Sequence, residues 1–284
     1  MYGARHRSFP RSCERIGTAA AALHVLSTAF QRGMAWYKEW FGTRYYKLLY
    51  GHRDEQDARA WVDVIVQHGG MRPGMRLLDL GCGRGRHARL FAEHGLKVTG
   101  IDLSSASIDD ARSEGPGVEF LVHDMRKPFA REQYDAVVCL FTSLGYSEDR
   151  ADDQRPVENA ALALVPGGLL VLDLLNGALV RAGLVEEECQ RSGEVYFTIR
   201  RCVENNDIVK RISVAEGGEE HAFMERVHAW TRAEVCAMVE RAGLHIGSVT
   251  EGPEPRPFDE GRSPRIVVWA RKPGGTSTEL FDHP

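Results

Sequence analysis

A chain of 284 residues, 43% of them hydrophobic, has material for one large domain, or for a domain with a modest insertion. Its formal charge of −4 argues against a protein that coats nucleic acid, because phosphate binding needs clustered Lys and Arg. Six cysteines, at 13, 82, 139, 189, 202 and 236, form no CxxC pair and no Cys/His spacing suited to zinc, so no metal is expected and the thiols read as reduced groups of a cytoplasmic protein.

In chain order, residues 1–33 form a tail. Five arginines (5, 7, 11, 15 and 32) face one acid, Glu14, and an alanine-rich stretch follows. The pattern resembles a targeting segment, but His24 interrupts it and no small-x-small cleavage site follows; a start at Met34 reads equally well. Next, Trp36, Tyr37, Trp40, Phe41, Tyr45, Tyr46 and Tyr50 crowd together, a polar hinge covers 51–55, and a helix is predicted over 58–67. The segment 34–74 is therefore read as a helical lid. No apolar run reaches the ~18 residues of a membrane span.

From residue 75, short apolar runs alternate with helical patterns. Strands are predicted at 75–80, 97–102, 118–124, 134–140 and 168–175, with helices near 84–94, 104–113 and 151–164. Such alternation implies an α/β fold, a parallel sheet with helices on both faces. The stretch 178–230 breaks the rhythm and reads as a three-stranded antiparallel meander, with strands near 195–199, 208–214 and 221–230. It forms a cap inserted into a main domain of 75–177 and 231–272. Thr231 and Glu234 make a capping box for a late helix, two strands follow near 244–250 and 265–270, and 273–284 is a closing tail.

The chemistry centres on the first strand. Leu77–Leu80 runs into Gly81-x-Gly83-x-Gly85 and then a helix. A dinucleotide fold would carry GxGxxG, so that a pyrophosphate sits on the helix amides; here Arg86 takes the last position, which weakens an oxidoreductase reading. Asp102 ends the second strand, where an acid can accept both ribose hydroxyls. At the end of the third strand, Asp124 can take an adenine amino group while the Met125 thioether packs on the ring. The fourth strand opens at Leu140 into Phe141-Thr-Ser-Leu-Gly-Tyr146, at the carboxyl ends of the strands where ligands bind in such sheets.

The run Asp79 to Gly85, Asp102, Asp124-Met125 and Pro166-Gly-Gly168 together resemble the successive motifs of class I S-adenosylmethionine-dependent methyltransferases. The resemblance covers roughly 60–176 and 232–271. It implies a Rossmann-like seven-stranded, mostly parallel sheet of order 3-2-1-4-5-7-6, its last strand antiparallel, and S-adenosylmethionine as cofactor. It further implies that Asp79, Gly81, Cys82, Gly83 and Gly85 face the methionine end, Asp102 the ribose, and Asp124 with Met125 the adenine, with Leu103 and Leu140 as further cofactor-binding residues. A bacterial subgroup is similar in three more places: the Trp/Tyr-rich start, the Phe-Thr-Ser-x-Gly-Tyr loop and Pro257-Phe-Asp259.

Beyond the cofactor the reading thins. In the lid, Tyr46 and Arg53 are placed over the cofactor, Arg53 pairing its carboxylate; Thr142, Tyr146 and Tyr50 are the candidate acceptor contacts, and no catalytic base is assigned. Tyr196, Arg200, His221, His228 and Trp230 of the cap are further acceptor candidates, and His87 is expected on a helix surface. The favoured function is methyl transfer to an O or N nucleophile of a small molecule, with a homodimer through the cap. An RNA or protein methyltransferase and an S-adenosylmethionine-binding module without activity stand as alternatives.

Overall fold

The computed structural model describes residues 36–51 and 55–274; the tail 1–33, Arg53 and residues 275–284 lie outside them. Two short helices open it, α1 (Trp36–Trp40) and α2 (Arg44–Tyr50). Thr43 separates them: its backbone is extended and its hydroxyl accepts the Tyr46 N–H, capping α2. Helix α3 (Glu55–His68) follows, with Ala58, Val62 and Ile65 on its buried stripe.

The alternation then runs as predicted: β1 (Arg76–Leu80), α4 (Arg86–Glu93), β2 (Lys97–Asp102), α5 (Ser105–Ser113), β3 (Val118–Val122), β4 (Tyr134–Cys139), α6 (Arg150–Ala163) and β5 (Leu164–Leu175). After the insertion come α8 (Arg232–Arg241), β10 (His245–Thr250) and β11 (Arg265–Arg271). The capping box of Thr231 and Glu234 is formed at the start of α8. Strand order in the main sheet is β3-β2-β1-β4-β5-β11-β10, with β11 antiparallel to both neighbours. When the inserted strands are left out of the count, this is 3-2-1-4-5-7-6.

Successive strand residues point to opposite faces, and both faces are apolar. Leu78, Val137, Cys139, Leu170 and Leu172 pack with Val157 and Ala160 of α6 and Val235 and Val239 of α8. Leu77, Ala136, Val138 and Val171 pack with Val62 and Ile65 of α3, Leu90 and Phe91 of α4 and Ile108 of α5. Covering both faces leaves only the strand ends for ligands, and β1, β2 and β4 all end on the same edge.

The insertion differs from its expectation. It begins with a short helix, α7 (Gly177–Ala182), and holds four strands rather than three: β6 (Glu187–Ser192), β7 (Val195–Glu204), β8 (Asp207–Glu216) and β9 (Glu219–His228), in an antiparallel sheet of that order. Strand β6 reads Glu-Glu-Cys-Gln-Arg-Ser, with no apolar alternation, and its place comes from pairing along β7.

One face of the cap sheet packs on the opening helices. Val195, Phe197, Ile199, Ile212 and Val214 form a core with Trp40, Tyr45 and Leu49. Buried Glu225 locks the contact, accepting hydrogen bonds from Trp40 Nε1 at 2.7 Å and the Tyr50 hydroxyl at 2.8 Å while pairing with Lys210 at 2.9 Å. Burial pushes its pKa up, but Lys210 and these donors outweigh that and hold it below the ordinary range. Trp40→Phe keeps most of the packing and leaves Glu225 one donor short; urea unfolding should register a loss of about 1–2 kcal/mol.

Candidate active site

A cavity of about 400 Å³ opens at the carboxyl ends of β1, β2, β3 and β4. The glycine turn forms one side. Gly81 and Cys82 both donate to the Ile101 carbonyl, at 2.8 and 3.0 Å, which ties the turn to β2. Gly83 donates to Asp102 Oδ2 at 2.9 Å, and Ser104 donates to Asp102 Oδ1 at 2.8 Å. The glycines differ in role. Gly83 lines the cavity with a φ of +55°, and a Cβ there would meet nothing within 4 Å. Gly85 caps α4 with a φ of +73°, away from the cavity, and a Cβ there would fall 2.2 Å from the Phe120 ring.

Of the residues expected at the cofactor, Tyr46, Gly81, Cys82, Gly83, Asp102, Leu103, Asp124, Met125 and Leu140 all line this cavity. Asp79 and Gly85 do not; they support the turn from behind. Asp79 is 3% exposed, and its Oδ2 has no hydrogen-bond partner. Burial, then the nearby Asp102 charge, pushes its pKa up to about 7. Burial, followed by the charges of Asp79 and Asp102, raises the pKa of the Cys82 thiol. The Asp124 carboxylate is already gripped by Arg126, whose Nε and Nη2 donate to it at 2.7–3.2 Å, and these bonds lower its pKa. Arg126 Nη1 reaches on to Asp152 at 3.3 Å. A carboxylate has about four acceptor positions, so Asp124 can still receive an amino group.

On the acceptor side, Tyr50 and Tyr146 line the cavity and Thr142 does not. Thr142 is buried against β5 and β11, its hydroxyl accepting from Leu175 N at 3.2 Å and Arg265 Nη2 at 3.0 Å. The Tyr50 hydroxyl is engaged by Glu225 and by Lys210 at 3.0 Å, which leaves its ring to face the cavity. His87 is a wall residue rather than a helix-surface one, stacked on Phe141 at 4.8 Å.

None of the cap candidates reaches the cavity. Tyr196 is exposed, Arg200 pairs with Glu187, His221 lies against Tyr45, His228 is buried between Asp207 and Glu234, and Trp230 belongs to the core. The physical reason is the position of α1 and α2, which pack on the cap with one side and present Tyr37, Phe41, Tyr46, Lys47 and Tyr50 to the cavity with the other. Arg126, Asp152 and Asp153 are wall residues that the sequence left unmarked, and Tyr37 and Phe41 were expected only as part of the aromatic lid. The acidic pair Asp152-Asp153 falls in the first turn of α6. Trp36, Tyr37 and Phe41 surround Tyr146 with centroid separations of 5.3–6.2 Å, so the lid and the loop after β4 meet through rings.

The model of the methyltransferase domain family matches residues 77–168. The chain is 32% identical over 133 residues to the methyltransferase YqeM of Bacillus subtilis, covering 45% of this chain and 52% of that protein, so it spans about half of that relative. It is 28% identical over 214 residues to dTDP-3-amino-3,6-dideoxy-α-D-glucopyranose N,N-dimethyltransferase of Streptomyces fradiae, covering 72% and 82% of the two chains. These matches support a class I S-adenosylmethionine-dependent methyltransferase. The fold is shared with solved structures. One, from Clostridium acetobutylicum, has a TM-score of 0.69 at 18% identity, over 81% of this chain and 96% of that one. Another, an S-adenosylmethionine-bound amino pentose methyltransferase from Micromonospora echinaspora, has a TM-score of 0.59 at 24% identity, over 91% and 99%.

The cavity fits that cofactor. Behind the glycine turn, the buried Asp79 Oδ2 is an acceptor with no partner in the protein, suited to the ammonium of the cofactor's amino-acid end. Gly83 leaves open space where the chain must be approached, and Asp102 stands at the end of β2 for a diol. Asp79 also predicts a pH dependence. Its folded pKa lies above its unfolded one, so the folded state binds more protons between about pH 4 and 7 and stability falls as pH rises through that window. Asp153, raised to about 6 by burial, acts in the same direction. Thermal unfolding of the cofactor-free protein should therefore give a lower Tm at pH 8 than at pH 5, and Asp79→Asn should narrow the gap.

Proposed function

We propose that this methyltransferase moves a methyl group from S-adenosylmethionine to a nucleophile of a small molecule, with an amine nitrogen preferred over a hydroxyl oxygen. The carrying observation is that Tyr37, Asp124, Asp152 and Asp153 line the same cavity, under an aromatic lid. Burial, with these carboxylates adding to it and Arg126 opposing, raises the Tyr37 pKa, so the phenol stays protonated as a hydrogen-bonding group. Carboxylates attract an ammonium group; Asp153, held by Arg150 at 2.7 Å and the Gly145 N–H at 3.2 Å, adds to this acidic wall, and burial raises its pKa to about 6.

The cofactor supplies a sulfonium methyl already activated toward attack. The chain's own residues hold the acceptor in line and exclude water, and good alignment alone is worth ~7–11 kcal/mol. The N,N-dimethyltransferase activity of the Streptomyces fradiae relative, on an amino sugar, supports the preference for nitrogen. The roofed cavity favours a small acceptor over RNA or a protein chain.

In this reading 34–74 is the lid, 75–177 with 231–272 the cofactor domain, and 178–230 the cap that carries the lid. A homodimer through the cap belongs to the same reading, with the exposed Tyr196 ring on β7 in its favour. A cytoplasmic setting is supported by Cys82, Cys139, Cys202 and Cys236, which form no disulfide among the described residues. Incubation with methyl-labelled cofactor and separate metabolite, RNA and protein fractions tests the acceptor class. Label on nitrogen of a small molecule is the expected result; label confined to RNA or protein would overturn the reading.

A further inference from the structure

The loop after β4 starts in an unusual conformation. Phe141 and Thr142 have φ values of +56° and +63°, two consecutive left-handed residues, and Thr142 is β-branched. For L-residues this region costs about 1–2 kcal/mol each, and β-branched residues almost never enter it. Strain of this kind persists only where surrounding contacts hold it.

Those contacts converge on one residue pair. The Phe141 N–H donates to Asp173 Oδ2 at 2.8 Å and the Thr142 N–H to the Asp173 carbonyl at 3.1 Å. Arg265 donates from Nε to the other Asp173 oxygen and from Nη2 to the Thr142 hydroxyl. Its guanidinium lies over the Phe141 ring at 5.3 Å and the Trp61 ring at 5.7 Å. Asp173 is 0% and Arg265 9% exposed, and neither lines the cavity. Asp173 sits near the carboxyl end of β5, in the otherwise apolar run Leu169–Leu175, where a buried ion pair stabilises less than well-packed apolar side chains would. Stability is a weak explanation for the pair.

What the turn positions gives a better one. Phe141 carries its ring into the cavity wall, the Thr142 carbonyl accepts from the Tyr146 hydroxyl, and Ser143 donates to the Gly81 carbonyl at 3.4 Å. A Cβ on Gly81 would lie 2.7 Å from that of Ser143, so the turn abuts the glycine loop. We infer that Asp173 and Arg265 are positioning residues, a buried clamp that holds the Phe141–Thr142 turn in its left-handed form and so sets the cavity wall that joins the glycine turn to the lid. The binding readout of this inference rests on S-adenosylmethionine being the cofactor, while the exchange readout does not.

Two measurements on the full chain test the clamp. In Asp173→Asn, hydrogen exchange across 141–146 should quicken about tenfold or more with β1 and β4 unchanged, and S-adenosylhomocysteine affinity should fall about tenfold. Adding Thr142→Gly supplies a residue at ease in the left-handed region, and affinity should return to within about threefold of wild type. A merely structural role predicts the opposite, because losing the Thr142 hydroxyl adds damage. Unchanged exchange and affinity in Asp173→Asn, or a double variant weaker than the single one, would overturn the inference. Should Asp173→Asn fail to fold, Arg265→Lys, which keeps the charge and loses the fork, carries the same readouts. Failure of the wild type to bind S-adenosylhomocysteine would count against the cofactor, and the exchange result alone would then decide the clamp.

Discussion

Gly85→Ala is expected to lower folding stability by about 2–5 kcal/mol, whereas Gly83→Ala should cost only about 1–2 kcal/mol and strike cofactor binding instead. Both positions have left-handed backbone, φ +73° and +55°, so each alanine carries a conformational cost of about 1–2 kcal/mol. They differ in what the new methyl meets. At Gly85 it would lie 2.2 Å from Phe120 Cζ, in the packed contact between α4 and β3, and overpacking adds about 1–3 kcal/mol. At Gly83 it would project into open space on the cavity wall, where a bound cofactor must approach the main chain. Urea unfolding and calorimetry on the two variants separate these effects. Equal stability losses in both would mean that the turn serves packing alone.

Asp102→Ala should weaken S-adenosylhomocysteine binding by about 1.5–3 kcal/mol, the worth of hydrogen bonds to a charged group. Two contributions combine. The carboxylate at the end of β2 is lost to the ligand's diol, and the Gly83 N–H loses the acceptor that now holds the turn in shape. Burial raises the Asp102 pKa, opposed by the N–H groups of Ser104, Gly83 and Leu103, so the residue is an organised acceptor before any ligand arrives. Asp102→Asn keeps one acceptor oxygen and should fall between wild type and alanine. An affinity unchanged in both variants would place the ribose elsewhere.

The parallel sheet was legible because its strands are buried on both faces and read as unbroken apolar runs such as Ala136–Leu140 and Leu169–Leu172. The glycine turn and Asp102 were legible because backbone geometry and a strand-end acid leave local marks. What escaped was set by distant pairing. Strand β6 has no pattern of its own, and α7 is a six-residue helix capped by Asn176. Thr142 looked like an acceptor contact, yet its hydroxyl is taken by Arg265, 123 residues away. Arg126 stood beside the Asp124-Met125 motif, but its role depends on Asp152 across the loop. The cap was expected to touch the acceptor and instead carries helices that line the cavity, a relation fixed by Glu225 reaching Trp40 over 185 residues. Local periodicity speaks for elements; only their meeting decides which side chains share a cavity.

Calorimetric titration of the wild-type protein with S-adenosylhomocysteine, with NADH as the control, tests the central claim most directly. The account predicts saturable binding of S-adenosylhomocysteine that weakens in Asp102→Ala, and no heat from NADH. Binding of NADH with none of S-adenosylhomocysteine would contradict it.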